Sequence, residues 1–304
     1  DFQPESGCFR PKDWPAETLH RSGEIYRVLV RGTADYASKN GFSDGVLGLS
    51  GGIDSALTLA VCVDALGPER VHALMMPSRF TSDLSLELAK AQAEKMGVDY
   101  RVIPIESSLD AMLAALRERT GEEPTGVPHE NLQARIRGML IMTLSNQHGW
   151  LPFATSNKSE LAVGYSTLYG DMCGGFSPIK DCLKTRVYEL ARYRNRDGEV
   201  IPEAVIQRAP SAELRPGQTD QDSLPPYDVL DGILHLFVDT DHSIHEIVER
   251  GFDEATVRKV AAMVLRNEYK RRQGAPGVRV TSRGFGRDRR YPITSGWREP
   301  ARDD

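Results

Sequence analysis

Residues 45–55 read Gly-Val-Leu-Gly-Leu-Ser-Gly-Gly-Ile-Asp-Ser, and an apolar stretch follows over residues 56–66. The pattern predicts a short buried strand that turns through Ser50, Gly51 and Gly52 into an apolar helix. Glycine has no Cβ, so successive backbone N–H groups can turn toward an anion, and the helix N-terminus adds its partial positive charge. The turn therefore predicts a cradle for a polyphosphate.

The chemistry of the cradle is indicated by what the turn lacks. It has no Gly-Lys-Ser/Thr ending, the feature of a Walker loop that brings a lysine to the γ-phosphate. We therefore expect the cradle to hold a leaving pyrophosphate rather than to support γ-phosphoryl transfer. Asp54 directly after the glycines is the first candidate ligand for Mg²⁺, which bridges carboxylates to phosphate oxygens. The alternative is a tight turn whose glycines only allow close packing.

The composition is that of an ordinary soluble globular protein, with 304 residues, 40% apolar and 27% charged. No stretch approaches the roughly 18 consecutive apolar residues of a membrane span, and residues 1–5 lack a signal-peptide pattern, so we expect a cytoplasmic protein. The formal net charge of −5 gives no general reason to expect nucleic-acid binding. The absence of a CxxC pair predicts four free thiols: Cys8, Cys62, Cys173 and Cys182.

Helix and strand patterns alternate through the first half of the chain. Besides the cradle, they predict helices over residues 15–40, 83–96, 107–119 and 129–148, and strands over residues 71–76, 98–105 and 150–154. The alternation predicts an α/β fold, a doubly wound parallel sheet covered by helices on both faces. Ligands of such sheets bind beyond the carboxyl ends of the strands, where the cradle, Thr155 and residues 77–79 fall.

The second half has a different character. Residues 208–226 are rich in Pro, Gly, Gln, Ser and Asp, which predicts a mobile loop, and helices are predicted over residues 227–240, 244–250 and 254–272. We expect a single domain over residues 1–304, with a core over residues 15–205 and then a mobile loop, a C-terminal helical extension and a basic tail over residues 206–304.

The basic tail lies within residues 270–290. We interpret it as a solvated surface or subunit contact in which some residues neutralise dinucleotide phosphates, because the chain is acidic overall and few aromatics interleave the charges. Nucleic-acid binding is the alternative.

Seven segments resemble known enzymes, in order along the chain. Residues 50–55 resemble the pyrophosphate loop of the ATP pyrophosphatases, and the others resemble NAD⁺ synthetases: residues 130–138, 157–165, 167–171, 210–214, 220–227 and 268–272. The resemblance spans most of residues 20–294 and looks most like the synthetase portion of bacterial glutamine-dependent enzymes. It implies the ATP pyrophosphatase (adenine nucleotide α-hydrolase-like) type of sheet.

The resemblance also implies a reaction. The nicotinate carboxylate of deamido-NAD⁺ attacks the α-phosphate of ATP, pyrophosphate leaves, and ammonia then displaces AMP from the adenylated intermediate. ATP is a co-substrate, Mg²⁺ is the cofactor, and the enzyme is a homodimer. The chemistry needs no covalent enzyme intermediate, because positioning and charge neutralisation can carry most of the catalysis.

Site residues follow from the same resemblance. Asp54, Glu160 and Lys184 are implied to be catalytic, and Asp54 and Glu160 match the Mg²⁺ ligands. The implied ATP contacts are Gly48, Leu49, Ser50, Gly51, Gly52, Ile53, Asp54, Ser55, Thr155, Lys184 and Ser211. The implied deamido-NAD⁺ contacts are Asn131, Arg135, Glu160, Tyr165 and Lys270.

Simpler interpretations exist for some of these residues. Without the resemblance, Glu160 reads as a first-turn carboxylate that complements a helix dipole, and Lys184 as an exposed helix cation. Arg135 and Arg137 lie two apart on a predicted helix and face different ways, so we expect only one of them, Arg135, to reach the substrate.

The chain also departs from the family pattern. Leu168 stands where ammonia-dependent synthetases carry a substrate-binding lysine, and residues 172–176 differ as well. The residues before Gly48 are too few for a nitrilase-like glutaminase domain, so we expect ammonia to be the nitrogen source and any glutaminase to be a separate or removed domain. The initial Asp1 is consistent with an excised or processed chain.

Two other functions fit the cradle: another AMP-forming ATP pyrophosphatase, such as a tRNA-modifying enzyme, and a nucleotide-sensing module without turnover. Residues 78–86 and 208–224 lack apolar periodicity beside matched positions, and we expect them to be lids.

Overall fold

The structure is a computed structural model that describes residues 21–296. Its first half contains α1 (Arg21–Lys39), β1 (Gly45–Gly48), α2 (Ile53–Leu66), β2 (Val71–Met75), α3 (Asp83–Met96), β3 (Asp99–Val102), α4 (Glu106–Thr120), α5 (Val127–His148) and β4 (Leu151–Phe153). Its second half contains α6 (Lys158–Val163), α7 (Lys184–Arg194), α8 (Glu203–Gln207), α9 (Tyr227–Leu234), α10 (Ile244–Glu249), α11 (Glu254–Arg266) and α12 (Glu268–Arg271).

The four strands form one parallel sheet in the order β3-β2-β1-β4. β1 lies inside the sheet, with Leu47 opposite Ala73 on one side and opposite Phe153 on the other. The carboxyl end of β1 therefore opens at the middle of one sheet edge. This is the α/β architecture predicted from the alternating pattern.

Successive residues of the central strands point to opposite faces of the sheet, as the pleat requires. Leu47 and Ala73 belong to a core shared with α1, α2, α7 and α8, whereas Val46 and Leu74 belong to a core shared with α4 and α5. Both faces are covered, so the central strands are mostly apolar, although β2 contains His72, which contacts Asp99 at 2.8 Å. The prediction of a sheet covered on both faces is confirmed.

A third core lies among the C-terminal helices α9, α10 and α11 and includes Ala162 of α6. α9 continues as a π-helical turn over His235–Asp239. The predicted helix over residues 254–272 is wrong at Asn267, where it divides into α11 and α12. Asn267 Nδ2 donates to the carbonyl oxygens of Met263 and Val163, so the side chain binds the end of α11 to α6.

Other boundaries also differ from the predicted ones. The strand predicted over residues 98–105 is shorter, Asp99–Val102, although the N–H groups of Ile103 and Ile105 still donate to the oxygens of Met75 and Pro77. The helix predicted from residue 15 is described from Arg21, and residues 15–20 and Cys8 lie outside the described residues. Cys62, Cys173 and Cys182 are free thiols.

The basic tail is only partly a solvated surface: Arg272, Arg279, Arg287 and Arg290 are exposed, whereas other cations of the tail are held by acidic residues. Arg271 is buried and bonds to Glu268, while Arg283 and Arg289 both pair with Asp241. Arg283 and Arg289 thus meet an acidic partner from a distant segment, a relation that composition cannot show. Across the described span, no helix has the length and hydropathy to cross a membrane.

Candidate active site

The phosphate loop, residues 48–52, leaves the end of β1 and enters α2. Gly51 has a φ of 79°, and an added Cβ there would lie 2.5 Å from the backbone oxygen of Ser85. An added Cβ on Gly52 would approach only Ser50 Oγ, at 3.3 Å. Close packing therefore explains Gly51 but not Gly52, whose missing Cβ leaves room above the start of α2.

The loop presents backbone groups to this space. Gly52 supplies no side-chain cap to α2, so the N–H groups of the first helical turn have no capping side chain and can bind an anion. Ser55 Oγ braces the loop from inside by donating to the Gly52 oxygen at 3.0 Å. Leu49 and Ile53 are buried in the core, so they can offer a ligand only their backbone.

A buried ammonium joins the two predicted metal-binding carboxylates. Lys184 Nζ lies 2.5 Å from Asp54 Oδ2 and 2.8 Å from Glu160 Oε1, and the Lys184 side chain is 2% exposed. Burial alone would lower the pKa of Lys184, but the carboxylates of Asp54 and Glu160 raise it above its ordinary value. The interpretation of Lys184 as an exposed helix cation is wrong. The three residues predicted to be catalytic are in contact.

α6 is fixed so that Glu160 reaches Asp54 and Lys184, with which it forms the carboxylate cluster. Asn157 caps α6: its Oδ1 accepts from the Glu160 N–H at 3.0 Å, and its Nδ2 donates to Asp54 Oδ1 at 2.9 Å. Ser159 Oγ accepts from the Lys184 N–H at 2.8 Å and donates to Asp231 Oδ1 at 2.5 Å. A single helical turn thus positions the carboxylates and the ammonium relative to one another.

A second buried ion-pair cage anchors the same turn from behind. Lys158 Nζ, with 1% of its side chain exposed, lies 2.7 Å from Asp239 Oδ1 and 3.1 Å from Asp181 Oδ1. It also donates to Thr281 Oγ1 at 2.5 Å and to the Arg283 oxygen at 2.9 Å. The cage joins α6 to the π-helical turn and to the C-terminal strap, residues 277–291.

The charge of the cluster suits a divalent cation. Tyr227 connects a third carboxylate to it, because its hydroxyl donates to Asp220 Oδ2 at 2.8 Å and lies 3.4 Å from Glu160 Oε1. Asp220 is 3% exposed, and its Oδ1 has no hydrogen-bond partner within residues 21–296. Burial, with added repulsion from Asp54 and Asp220 that Lys184 only partly offsets, raises the pKa of Glu160 to about 7.

Asp54 and Glu160 therefore share one ammonium, and Asp220 joins them through the Tyr227 hydroxyl. Over the described residues, no three His, Cys, Asp or Glu side chains converge on one metal position. A usual Mg²⁺ site needs only one or two carboxylates, together with substrate phosphates and waters. Asp54 and Glu160 are the residues that could hold the ion.

The predicted dinucleotide contacts lie on a neighbouring surface around residues 164–168. Lys270 Nζ donates to the carbonyl oxygens of Gly164 and Ser166 at 2.7 and 2.8 Å, and burial lowers its pKa. Burial and the charge of Asp220 raise the pKa of Tyr165. Lys270 thus holds the backbone on either side of Tyr165, which faces the carboxylate cluster.

Asn131 and Arg135 contact the same surface from α5. Asn131 Oδ1 accepts from Thr167 Oγ1 at 2.7 Å, and the exposed Arg135 donates to the Leu168 oxygen at 3.2 Å. Arg135 also lines an open apolar groove of about 350 Å³ with Met112 and Tyr169. Its role in substrate binding stays a prediction.

Arg137 faces another way, as its spacing from Arg135 predicts. Its Nε donates to the oxygen of Met76, just beyond β2 at the sheet edge, and burial lowers its pKa to about 10. Thr155 lies two residues beyond β4 at the same edge. Ser211 lies on the Ser211 loop, residues 208–219, where its Oγ donates to the Gln218 oxygen at 2.6 Å.

Sequence reasoning missed some residues of this site. Asn157, Lys158, Asp220 and Tyr227 all fall in segments that carried the resemblance, but no role was assigned to them. Their place in those segments was the available signal. Asn157 and Lys158 also bond to Asp54 and Asp239, which lie far away in the chain, so only the fold identifies these contacts.

The sequence model of the NAD synthase family matches residues 25–274. The chain belongs to the NAD synthase family. Among the curated relatives of this chain, the glutamine-dependent NAD⁺ synthetase of Acinetobacter baylyi is 55% identical over 300 residues, which cover 98% of this chain and 55% of the relative. The chain thus spans about half the length of the curated relatives it matches.

Solved structures agree with this family assignment. The glutamine-dependent NAD⁺ synthetase of Acinetobacter baumannii, in complex with ADP, is 51% identical with a TM-score of 0.63, covering 93% of this chain and 52% of that one. The NH3-dependent NAD synthetase of Campylobacter jejuni is 30% identical with a TM-score of 0.66, covering 83% of this chain and 96% of that one. These neighbours support the ATP pyrophosphatase type of fold expected from the sequence.

Proposed function

We propose that this chain amidates deamido-NAD⁺ to NAD⁺ at the expense of ATP, releasing AMP and pyrophosphate, with ammonia as the nitrogen source. The observation that carries the proposal is the contact of Lys184 with Asp54, which follows the phosphate loop, and with Glu160 of α6. Family membership and the names of the relatives support the overall reaction. The ADP bound to the Acinetobacter baumannii relative supports an adenine nucleotide as ligand.

In the first step, a carboxylate oxygen of the nicotinate group attacks the α-phosphorus of ATP, and the bond to the bridging oxygen breaks. Pyrophosphate leaves with that electron pair. The space above Gly52 and the uncapped N–H groups of α2 suit the leaving group, because both favour an anion at the helix N-terminus. The phosphate loop is thus proposed to bind the part of ATP on which negative charge develops.

Lys184 supports this step electrostatically. Its raised pKa keeps the ammonium charged, so it neutralises phosphate charge and does not act as a base. A Mg²⁺ ion held by Asp54 and Glu160 would supply further neutralisation of phosphate oxygens. Asn157 holds the Asp54 carboxylate and the Glu160 backbone in place, because its Nδ2 donates to Asp54 and its Oδ1 accepts from the Glu160 N–H.

In the second step, ammonia attacks the carbonyl carbon of the adenylated intermediate, and AMP leaves with the oxygen that joined the two groups. The attacking nitrogen loses a proton as the amide forms. The dinucleotide is proposed to lie along Asn131, Arg135, Tyr165 and Lys270, beside the carboxylate cluster. We further propose a cytoplasmic homodimer, with glutamine hydrolysis, where it occurs, performed by a glutaminase domain outside these residues.

Pyrophosphate release by the purified chain tests the proposal. ATP, Mg²⁺ and ammonium are supplied with deamido-NAD⁺, with tRNA or with no acceptor, and NAD⁺ is measured in parallel. Release that requires deamido-NAD⁺ supports the proposal. Release that requires tRNA would indicate another ATP pyrophosphatase, and nucleotide binding without release would indicate a sensor.

The nitrogen source is tested in the same assay. We expect NAD⁺ formation with ammonium salts and none with glutamine. Efficient glutamine use by the pure chain would contradict the ammonia-dependent reaction.

A further inference from the structure

The two predicted lids meet at one carboxylate, that of Glu213. Ser82 Oγ donates to Glu213 Oε1 and Ser85 Oγ donates to Glu213 Oε2, each at 2.8 Å. The guanidinium of Arg208 pairs with the same carboxylate and also donates to Ser85 Oγ at 2.6 Å. Glu213 therefore joins the Ser211 loop to the first turn of α3.

The backbone of Glu213 is held in an unfavourable conformation. Its φ is 49°, in the left-handed region that residues with a Cβ adopt at a cost. Such strain persists only where the surroundings hold it. Here the Glu213 N–H donates to Ser211 Oγ at 3.2 Å, and the Leu214 N–H donates to Gln218 Oε1 at 2.8 Å. The strained turn directs the carboxylate to α3 while it fixes the hydroxyl of Ser211.

The first turn of α3 in turn touches the phosphate loop. The Ser85 oxygen lies where only a glycine fits, 2.5 Å from the position of a Cβ on Gly51. A continuous set of contacts therefore runs from Gly51 through Ser85 to Glu213, and from there to Ser211.

We propose that Glu213 is a positioning residue for the nucleotide. Its carboxylate fastens the Ser211 loop against α3, so that Ser211 is presented to the nucleotide bound at the phosphate loop. The inference rests on the proposed function in one respect, that ATP is the ligand of that loop. Glu213 does not touch the reacting atoms, and it acts through the loop that it holds.

The test is the affinity for MgATP, measured by calorimetry without an acceptor. Glu213→Gln removes the charge that holds Arg208 and both serine hydroxyls, so the attached loop becomes a minor state. The apparent Kd rises by the inverse of the remaining fraction, and we expect about a tenfold increase. Because saturating ATP restores the attached state, kcat should stay within about twofold of wild type while KM for ATP rises.

Two further variants sharpen the test. Glu203→Gln, at an exposed position of α8, makes the same chemical change where the carboxylate accepts a hydrogen bond from Gln207, and it should leave the Kd unchanged. Ser85→Ala removes the contact from the α3 side and should also weaken ATP binding. Combined with Glu213→Gln, its effect should be smaller than the product of the single effects, because both changes break one contact.

Hydrogen exchange provides a readout that does not depend on nucleotide. Exchange over residues 208–219 should be faster in Glu213→Gln than in wild type or Glu203→Gln. Wild-type ATP affinity in both Glu213→Gln and Ser85→Ala would overturn the role of Glu213 while leaving the proposed function intact. Failure of the wild-type chain to bind ATP would overturn the proposed function and this inference with it.

Discussion

Replacing Lys158 by Met should strongly destabilise the fold, because the side chain is the cation of a fully buried cage. Its Nζ contacts Asp239 and Asp181, whose side chains are 4% and 6% exposed. Met fills a similar volume but leaves two carboxylates without their cation. Breaking a buried pair from one side typically costs about 3–5 kcal/mol. For a chain of this length, that loss corresponds to a fall in Tm of roughly 5–8 °C.

Losing Lys158 should leave the two carboxylates unequally compensated by other hydrogen-bond donors. Asp181 retains the N–H groups of Val280 and Thr281 as donors, at 2.8 and 2.7 Å. Asp239 Oδ1 has Lys158 as its donor, and its Oδ2 has only a distant contact with His235. Adding Asp239→Asn to Lys158→Met should therefore recover much of the lost stability, because it removes the less compensated charge.

Thermal unfolding of the single and double variants measures both effects. Lys95→Met is the matched control, because Lys95 is an exposed cation that pairs with Glu199. It should shift Tm by no more than about 1 °C, as expected for a surface pair. A Tm for Lys158→Met as high as that of the control, or a double variant less stable than the single one, would refute the reasoning.

Three further predictions follow from the site. Asp54→Asn should lower kcat on the order of 10²-fold or more without unfolding the chain. The same change at the partly exposed Asp35 should leave kcat unchanged. Equal turnover of Asp54→Asn and wild type at saturating Mg²⁺ would reject Asp54 as a ligand. Because the folded-state pKa of Glu160, about 7, exceeds its ordinary 4.5, the metal-free chain should lose stability relative to Glu160→Gln as pH rises from 4.5 through 7. Mg²⁺ should reduce that loss. A stability difference between wild type and Glu160→Gln that is the same at pH 5 and pH 8 would contradict the raised pKa of Glu160. Residues 78–86 and 208–224 should exchange more slowly when a non-hydrolysable ATP analogue and deamido-NAD⁺ are both bound, and unchanged exchange would argue for a preformed pocket.

Local patterns predicted the sheet well, since strand periodicity and a glycine turn are properties of neighbouring residues. Val46 and Leu47 face opposite cores because a strand alternates, and Gly51 adopts positive φ because the turn requires it. The phosphate loop and the helix after it could therefore be located from the sequence alone. The resemblance then selected Lys184 and Glu160, which the fold brings together.

The rest depends on contacts between distant residues, which no local pattern contains. Lys158 meets Asp239 across 81 positions and Thr281 across 123. Arg283 and Arg289 looked like part of a solvated basic surface because their partner, Asp241, lies in a distant segment of the chain. Asn267 divides a predicted helix because its amide bonds to Val163 in α6.

The most direct test of the proposed reaction follows one oxygen atom. Deamido-NAD⁺ labelled with ¹⁸O at both oxygens of its nicotinate carboxylate is converted with ATP, Mg²⁺ and ammonium, and the products are analysed by mass spectrometry. Attack of that carboxylate on the α-phosphorus, followed by displacement of AMP by ammonia, predicts one ¹⁸O in each AMP and none in pyrophosphate. Label in inorganic phosphate with formation of ADP, or AMP without label, would contradict the adenylated intermediate.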